Sequence, residues 1–183
     1  MSKAGVSTLF TRRRFLAVSA AAIAMPHVAN ATAIASGQRK ISLDNTHTGE
    51  TLTTVYWQKG DYIDGALQEV DYIMRDFRTG DVHPIDPRLL DLLNGLHRKV
   101  GSRKPYQIVS GYRSPETNAE LAEHSDGVAK RSLHMQGMAM DLRLGDVRLK
   151  TLRKAAVSLE AGGVGYYPNS NFIHVDVGRV RTW

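Results

Sequence analysis

The spacing of apolar residues changes once along this chain, and that change limits what it can fold into. From Tyr62 to Phe77 the residues Ile63, Leu67, Val70, Ile73, Met74 and Phe77 recur every three or four positions, the mark of an amphipathic helix. Asp86-Pro87 opens a second helix by N-cap and first-turn proline, with Leu89, Leu90, Leu93 and Leu96 on its apolar side and Gly101 after its end. Ahead of both, Ile41 and Leu43, then Leu52, Thr54 and Tyr56, alternate with polar residues around Asn45-Thr46-His47-Thr48-Gly49, which reads as a β-hairpin. Past Tyr106 the period shortens to two in runs at 106–110, 138–142, 163–166 and 172–177, separated by helical stretches at 115–124 and 147–160. The expectation is an α+β domain with a small antiparallel sheet in the second half and flanking helices. No internal repeat and no glycine-rich phosphate loop is present after the N-terminal segment.

The N-terminus reads differently. Thr11-Arg12-Arg13-Arg14-Phe15-Leu16 sets paired arginines ahead of an apolar run from Phe15 to Met25, the pattern of a twin-arginine export signal. The run is too short for the roughly 20 residues of a membrane-spanning helix. Ala29-Asn30-Ala31 offers a small-x-small cleavage site, with cleavage expected near Ala31 or Ala33. Residues 1–33 are therefore expected to be a twin-arginine signal and 34–183 a single domain, released into the periplasm without stable membrane insertion.

That assignment also explains the charge. The whole chain carries +6, but residues 1–31 hold Lys3, Arg12, Arg13 and Arg14 and no acid, leaving 20 cations against 18 acids. A net +2 removes the main support for a nucleic-acid partner. The chain has no cysteine, so no disulfide supports it in an oxidising compartment, and any metal must be held by histidines and carboxylates.

Two stretches carry chemistry: Ser132-Leu133-His134-Met135-Gln136-Gly137-Met138-Ala139-Met140-Asp141, and Phe172-Ile173-His174-Val175-Asp176. In a strand through 138–142 the side chain of Asp141 lies on the face opposite Met138 and Met140. The same alternation sets His174 and Asp176 on one face of a later strand, opposite Ile173, Val175 and Val177. Two strands then present these groups towards one point, with His134 arriving from the preceding loop and Gly137 relaxing the backbone between. Three protein ligands would leave a fourth position open for water, as in catalytic zinc sites. A histidine and an aspartate seven apart are equally what a surface histidine produces, so spacing alone leaves both readings open.

The pattern Ser-x-His-x-x-Gly-x-Ala-x-Asp followed by His-Val-Asp resembles the M15-type zinc peptidases, which include D-Ala-D-Ala carboxypeptidases and dipeptidases. The likeness to one peptidoglycan-cleaving branch extends over essentially the whole chain. It covers the leader, Asn45-Thr46-His47-Thr48-Gly49-Glu50, Ser110-Gly111-Tyr112-Arg113-Ser114, Gly162-Gly163-Val164-Gly165-Tyr166-Tyr167-Pro168 and Trp183. The resemblance implies an M15/hedgehog-like fold, Zn2+ held by His134, Asp141 and His174, and hydrolysis of cross-links between two meso-diaminopimelic acid residues of peptidoglycan stem peptides. Two alternatives keep the pocket and change the outcome: a D,D-endopeptidase or carboxypeptidase acting on D-alanine bonds, and a zinc-containing module that grips stem peptides without cutting them.

By the same resemblance Arg113 is the residue that binds a substrate carboxylate or steadies the developing oxyanion, against a structural ion pair as the plain alternative. The acid often found three residues before the last histidine is Asn171 here, and the histidine some relatives carry two residues before it is Phe172. Asp176 is then the nearest candidate base, or else an orienting partner of His174 or an ion-pair partner of Arg179 or Arg181. Glu116 and Glu120 rank below it as bases. Tyr166 and Tyr167 are placed to line a groove for the stem peptide, with Tyr166 taken as the substrate-binding residue and core packing expected of at least one. His47, His83, His97 and His124 read as surface residues.

Overall fold

The computed structural model describes residues 37–124 and 128–183. The leader expected over 1–33 lies outside them. No helix among the described residues is long and apolar enough to cross a membrane.

The hairpin forms as expected, from β1 (Gln38–Asn45) and β2 (Thr51–Gln58). Its turn is closed by the buried Asn45, whose Oδ1 accepts from the amides of His47 and Thr48 at 2.9 and 3.2 Å. A second reversal at Lys59 and Gly60, both with positive φ, leads into the two-residue β3 (Asp61–Tyr62). The first helix, α1 (Asp64–Ile73), is shorter than its periodicity suggested. Beyond Met74 the carboxylate of Asp76 takes the amides of Arg78 and Ser114, at 3.0 and 2.8 Å, and holds the chain in a loop. Met74 and Phe77 keep apolar roles without helix: Met74 is fully buried, and Phe77 stacks on His47 at 3.8 Å between ring centroids.

Helix α2 (Pro87–Val100) starts on the Asp86 side chain, which accepts from the Arg88 amide at 2.9 Å, and stops at Gly101 in the left-handed conformation. Its Leu89, Leu90, Leu93 and Leu96 are fully buried, each contributing about 1.5–3 kcal/mol. The remaining elements are β4 (Tyr106–Ser110), α3 (Pro115–His124), a short 3-10 turn (Leu133–Gln136), β5 (Ala139–Leu144), α4 (Leu149–Val157), β6 (Gly163–Tyr167), β7 (Phe172–Asp176) and β8 (Arg181–Thr182).

One sheet takes in every strand of the described residues, in the order β3-β2-β1-β4-β5-β7-β6-β8. It is larger than the small second-half sheet expected and it is mixed, because β1 pairs with β4 and β6 with β8 in parallel. The α+β class stands: helices α1, α2 and α4 share one core with the strand residues Leu43, Ile108, Met140, Leu142, Val164, Ile173 and Val175 on one face of the sheet. Strand alternation then leaves Asp141, Gly165, His174 and Asp176 on the opposite face.

Candidate metal centre

Antiparallel register brings two of the three expected ligands together. Asp141 on β5 lies directly opposite His174 on β7, where facing side chains are neighbours. His134 enters from the 3-10 turn, which Ser132 caps by accepting the His134 amide at 3.3 Å. Gly137 ends that turn at φ 65°, and a Cβ there would sit 2.1 Å from the Pro84 carbonyl oxygen. Only glycine meets both demands, and this reversal returns the chain into β5.

His134 Nε2 lies 3.1 Å from His174 Nδ1 and 3.2 Å from Asp141 Oδ1, and His174 Nδ1 lies 2.9 Å from the same oxygen. All three residues are buried. A tetrahedral zinc with bonds of about 2.0–2.1 Å needs donors roughly 3.3 Å apart, so the triangle fits an ion of that size. The outer ring nitrogens are fixed too. His134 Nδ1 meets the Gly111 carbonyl oxygen at 2.7 Å and His174 Nε2 meets Asp176 Oδ2 at 2.9 Å. Each acceptor holds a proton on the outer nitrogen and turns the lone pair of the inner one towards the triangle. Burial pushes the Asp141 carboxyl up, but the two imidazoles beside it hold it well below the usual carboxylate range, so it is an anion at neutral pH, as a ligand must be. Burial works against charge on His174, yet Asp141 and Asp176 outweigh it and raise its pKa.

The triangle opens into a cleft of about 310 Å³ whose lining includes Arg113, Arg131, Tyr167, Phe172, Arg181 and Trp183. Among the described lining residues Asp141 is the only carboxylate, and His134 and His174 are the only imidazoles. Arg113 is buried with its guanidinium loosely held: 3.3 Å to Asn118 Oδ1, 3.4 Å to Ser110 Oγ, 3.5 Å to Asp141 Oδ2, and, among the described residues, no partner for Nε. Burial lowers its pKa against the pull of Asp141. A charged fork with spare donors at the wall of a cleft is suited to an anionic group.

Asp176 does not stand where a base for this site would have to stand. It meets the ring edge of His174 that faces away from the triangle, is fully buried, and accepts from the amides of Gly163 and Gly178 at 3.0 and 2.8 Å and from both terminal nitrogens of Arg181 at 3.1 and 2.8 Å. Those partners hold its carboxyl well below the usual range despite burial. The orienting and ion-pairing roles, not proton transfer, match this placement. Asn171 is an exposed turn residue at φ 54°, a conformation asparagine tolerates, and it does not line the cleft. Glu116 and Glu120 are exposed and also off the cleft.

Tyr166 likewise faces away: it packs against the core, with the Arg153 guanidinium 5.2 Å from its ring centre. Its neighbour Tyr167 lines the cleft. The signal was present in the parity of β6, where Val164 and Tyr166 share the core face and Gly165 and Tyr167 the other. Trp183 joins this wall, its ring centre 5.2 Å from that of His174 and packed so closely on Gly165 that a Cβ there would lie 2.8 Å from the indole. The other described histidines lie apart: His47 stacks on Phe77, His83 on Tyr112, His97 packs edge-on to Tyr106, and the exposed His124 ring contacts the Glu120 carbonyl.

A family model of M15 peptidases, described as peptidoglycan L,D-endopeptidase MepK, matches residues 33–183. Peptidoglycan L,D-endopeptidase MepK of Escherichia coli (strain K12) is 43% identical over 175 residues, covering 94% of this chain and 96% of that protein. A probable peptidoglycan L,D-endopeptidase MepK of Haemophilus influenzae is 43% identical over 146 residues, covering 79% and 78%. The crystal structure of Serratia marcescens L-Ala D-Glu endopeptidase ChiX aligns with 52% of this chain and 68% of that one at 17% identity and a TM-score of 0.35, a likeness too slight to argue from.

Proposed function

This chain belongs to the M15 peptidase family of peptidoglycan L,D-endopeptidases, and from that membership we propose that it is a zinc-dependent hydrolase of peptidoglycan cross-links, cutting the L,D bond between two meso-diaminopimelic acid residues. The observation that carries the proposal is the triangle of His134 Nε2, Asp141 Oδ1 and His174 Nδ1 at the floor of an open cleft. These three residues would hold the zinc, which supplies Lewis acidity to activate water and polarise the scissile carbonyl. The chain's own part is preorganisation. Gly111 and Asp176 fix both imidazoles in the ligating tautomer. Arg113 brings a permanent positive charge, from a buried position at the cleft wall, to the substrate carboxylate or to the carbonyl oxygen as it gains charge. Residues 1–33 act as a twin-arginine signal and the remainder works in the periplasm, where stem peptides are found.

The test is a muropeptide profile after incubating purified residues 34–183 with sacculi, with and without zinc, beside His134→Ala. Loss of cross-linked dimers only with zinc and only with the unaltered protein is expected, and the product masses identify the bond. Unchanged dimers with zinc demonstrably bound would overturn the hydrolase and leave a stem-peptide-binding module.

A further inference from the structure

Trp183 reaches the cleft as a fixed side chain. Its amide donates to the Val164 carbonyl at 3.2 Å and its carbonyl accepts from Tyr166 at 3.1 Å, continuing the pairing of β6 with β8. Its ring lies on Gly165 and carries the Arg181 guanidinium 4.8 Å from its centre. The indole nitrogen points at the Tyr167 hydroxyl, 2.8 Å away. Tyr167 is held on its other side by Phe172, its partner in register across β6 and β7, with ring centres 4.7 Å apart and planes 21° off parallel.

An indole N–H is only ever a donor. The 2.8 Å contact therefore makes the Tyr167 oxygen the acceptor and turns the phenolic proton away from Trp183. Among the described residues no protein group accepts that proton, and Tyr167 lines the same cleft as the ligand triangle and Arg113. The cleft thus holds a phenolic donor fixed between the Trp183 and Phe172 rings and a charged donor in Arg113, both set before substrate arrives. Fixed donors aimed where charge develops need no reorganisation during reaction.

Taking the endopeptidase activity proposed above as given, we infer that Tyr167 is a further catalytic residue that donates a hydrogen bond to the substrate carbonyl oxygen as it becomes an oxyanion, and that Trp183 is its positioning residue. Tyr167→Phe removes the proton and keeps the ring. Trp183→Phe removes the indole donor that orients it.

With cross-linked muropeptide as substrate, Tyr167→Phe is expected to lower kcat about 100-fold, the usual cost of losing one such donor, with KM, zinc affinity by chelator competition and the thermal midpoint near the wild-type values. Trp183→Phe is expected to lower kcat by less. The double variant is expected to match Tyr167→Phe alone, because the indole N–H acts through the phenol. A Tyr167→Phe enzyme with unchanged kcat, one that loses only KM, or a double variant whose losses multiply would each overturn the assignment. If the wild-type protein cuts no cross-link, the endopeptidase proposal fails and this one with it. If it cuts and Tyr167→Phe cuts equally well, only the role of Tyr167 falls.

Discussion

Asp176 Oδ2 lies 2.9 Å from His174 Nε2, on the ring edge opposite the one that meets Asp141 and His134. Any effect of this carboxylate on a metal held by the triangle must pass through the imidazole. In Asp176→Asn, an amide nitrogen must face either the His174 N–H or the amides of Gly163 and Gly178, all donors, so either the tautomer loses its acceptor or the carboxamide is repelled from the glycine amides and held less firmly on the imidazole. Zinc affinity is expected to fall about 10- to 100-fold, and saturating zinc to restore most turnover. Activity still absent at zinc saturation would instead make Asp176 a participant in proton transfer.

The Gly111 carbonyl oxygen plays the matching part for His134, and the backbone there has no room for a side chain. A Cβ would lie 2.4 Å from the Met74 carbonyl oxygen, a backbone atom whose own bond to the Tyr112 amide is 2.7 Å. Gly111→Ala is expected to cost about 1–3 kcal/mol as the two segments separate, and to weaken zinc binding because the acceptor for His134 Nδ1 moves. Denaturant unfolding and a chelator titration on one sample read both effects. A stability loss with unchanged zinc affinity would show that His134 needs no help from Gly111.

Much of this arrangement was legible in the sequence where it depends on parity. Alternation alone set Asp141 opposite Met140, and His174 with Asp176, and the Asp86 cap with Gly101 marked the ends of α2. What escaped depends on partners distant along the chain. The pairing of Asp176 with Arg181 was within reach of the sequence, but the Gly163 amide that also meets Asp176 comes from a neighbouring strand whose packing no local pattern reports. The parallel pairing of β1 with β4 spans two intervening helices, so the hairpin reads as a separate unit until the sheet is assembled. α1 ended early because Asp76, a poor predictor of anything in one dimension, binds Ser114 thirty-eight residues on.

The Arg113 guanidinium is held in place at some cost to the fold. Burial disfavours its charge, its contacts are 3.3–3.5 Å, and Nε has no partner among the described residues. Replacing a loosely satisfied buried ion with an apolar chain of similar volume is often neutral or stabilising. Arg113→Met is therefore expected to keep or raise the thermal midpoint and retain zinc, while kcat/KM falls by about 100-fold or more. A marked loss of stability would identify Arg113 as a structural ion-pair partner of Asp141.

Asp76 ties the loop after α1 to the segment that carries Arg113. Its buried carboxylate takes the Ser114 amide at 2.8 Å and the Arg78 amide at 3.0 Å. Burial alone pushes its carboxyl up, but the Thr117 hydroxyl beside it and those two amides outweigh the burial and hold it below the ordinary 3.8. Because the folded state prefers the ionised form, the contribution is complete at pH values above 3.8 and is lost as the pH falls below that value. At neutral pH Asp76→Asn is expected to cost about 1–3 kcal/mol, since it sets an amide donor against buried N–H groups. The gap between wild type and variant, followed by denaturant unfolding from about pH 6 to about pH 3, should narrow only at the acid end. A gap that stays constant across the range would mean that Asp76 is held by shape, not by its charge.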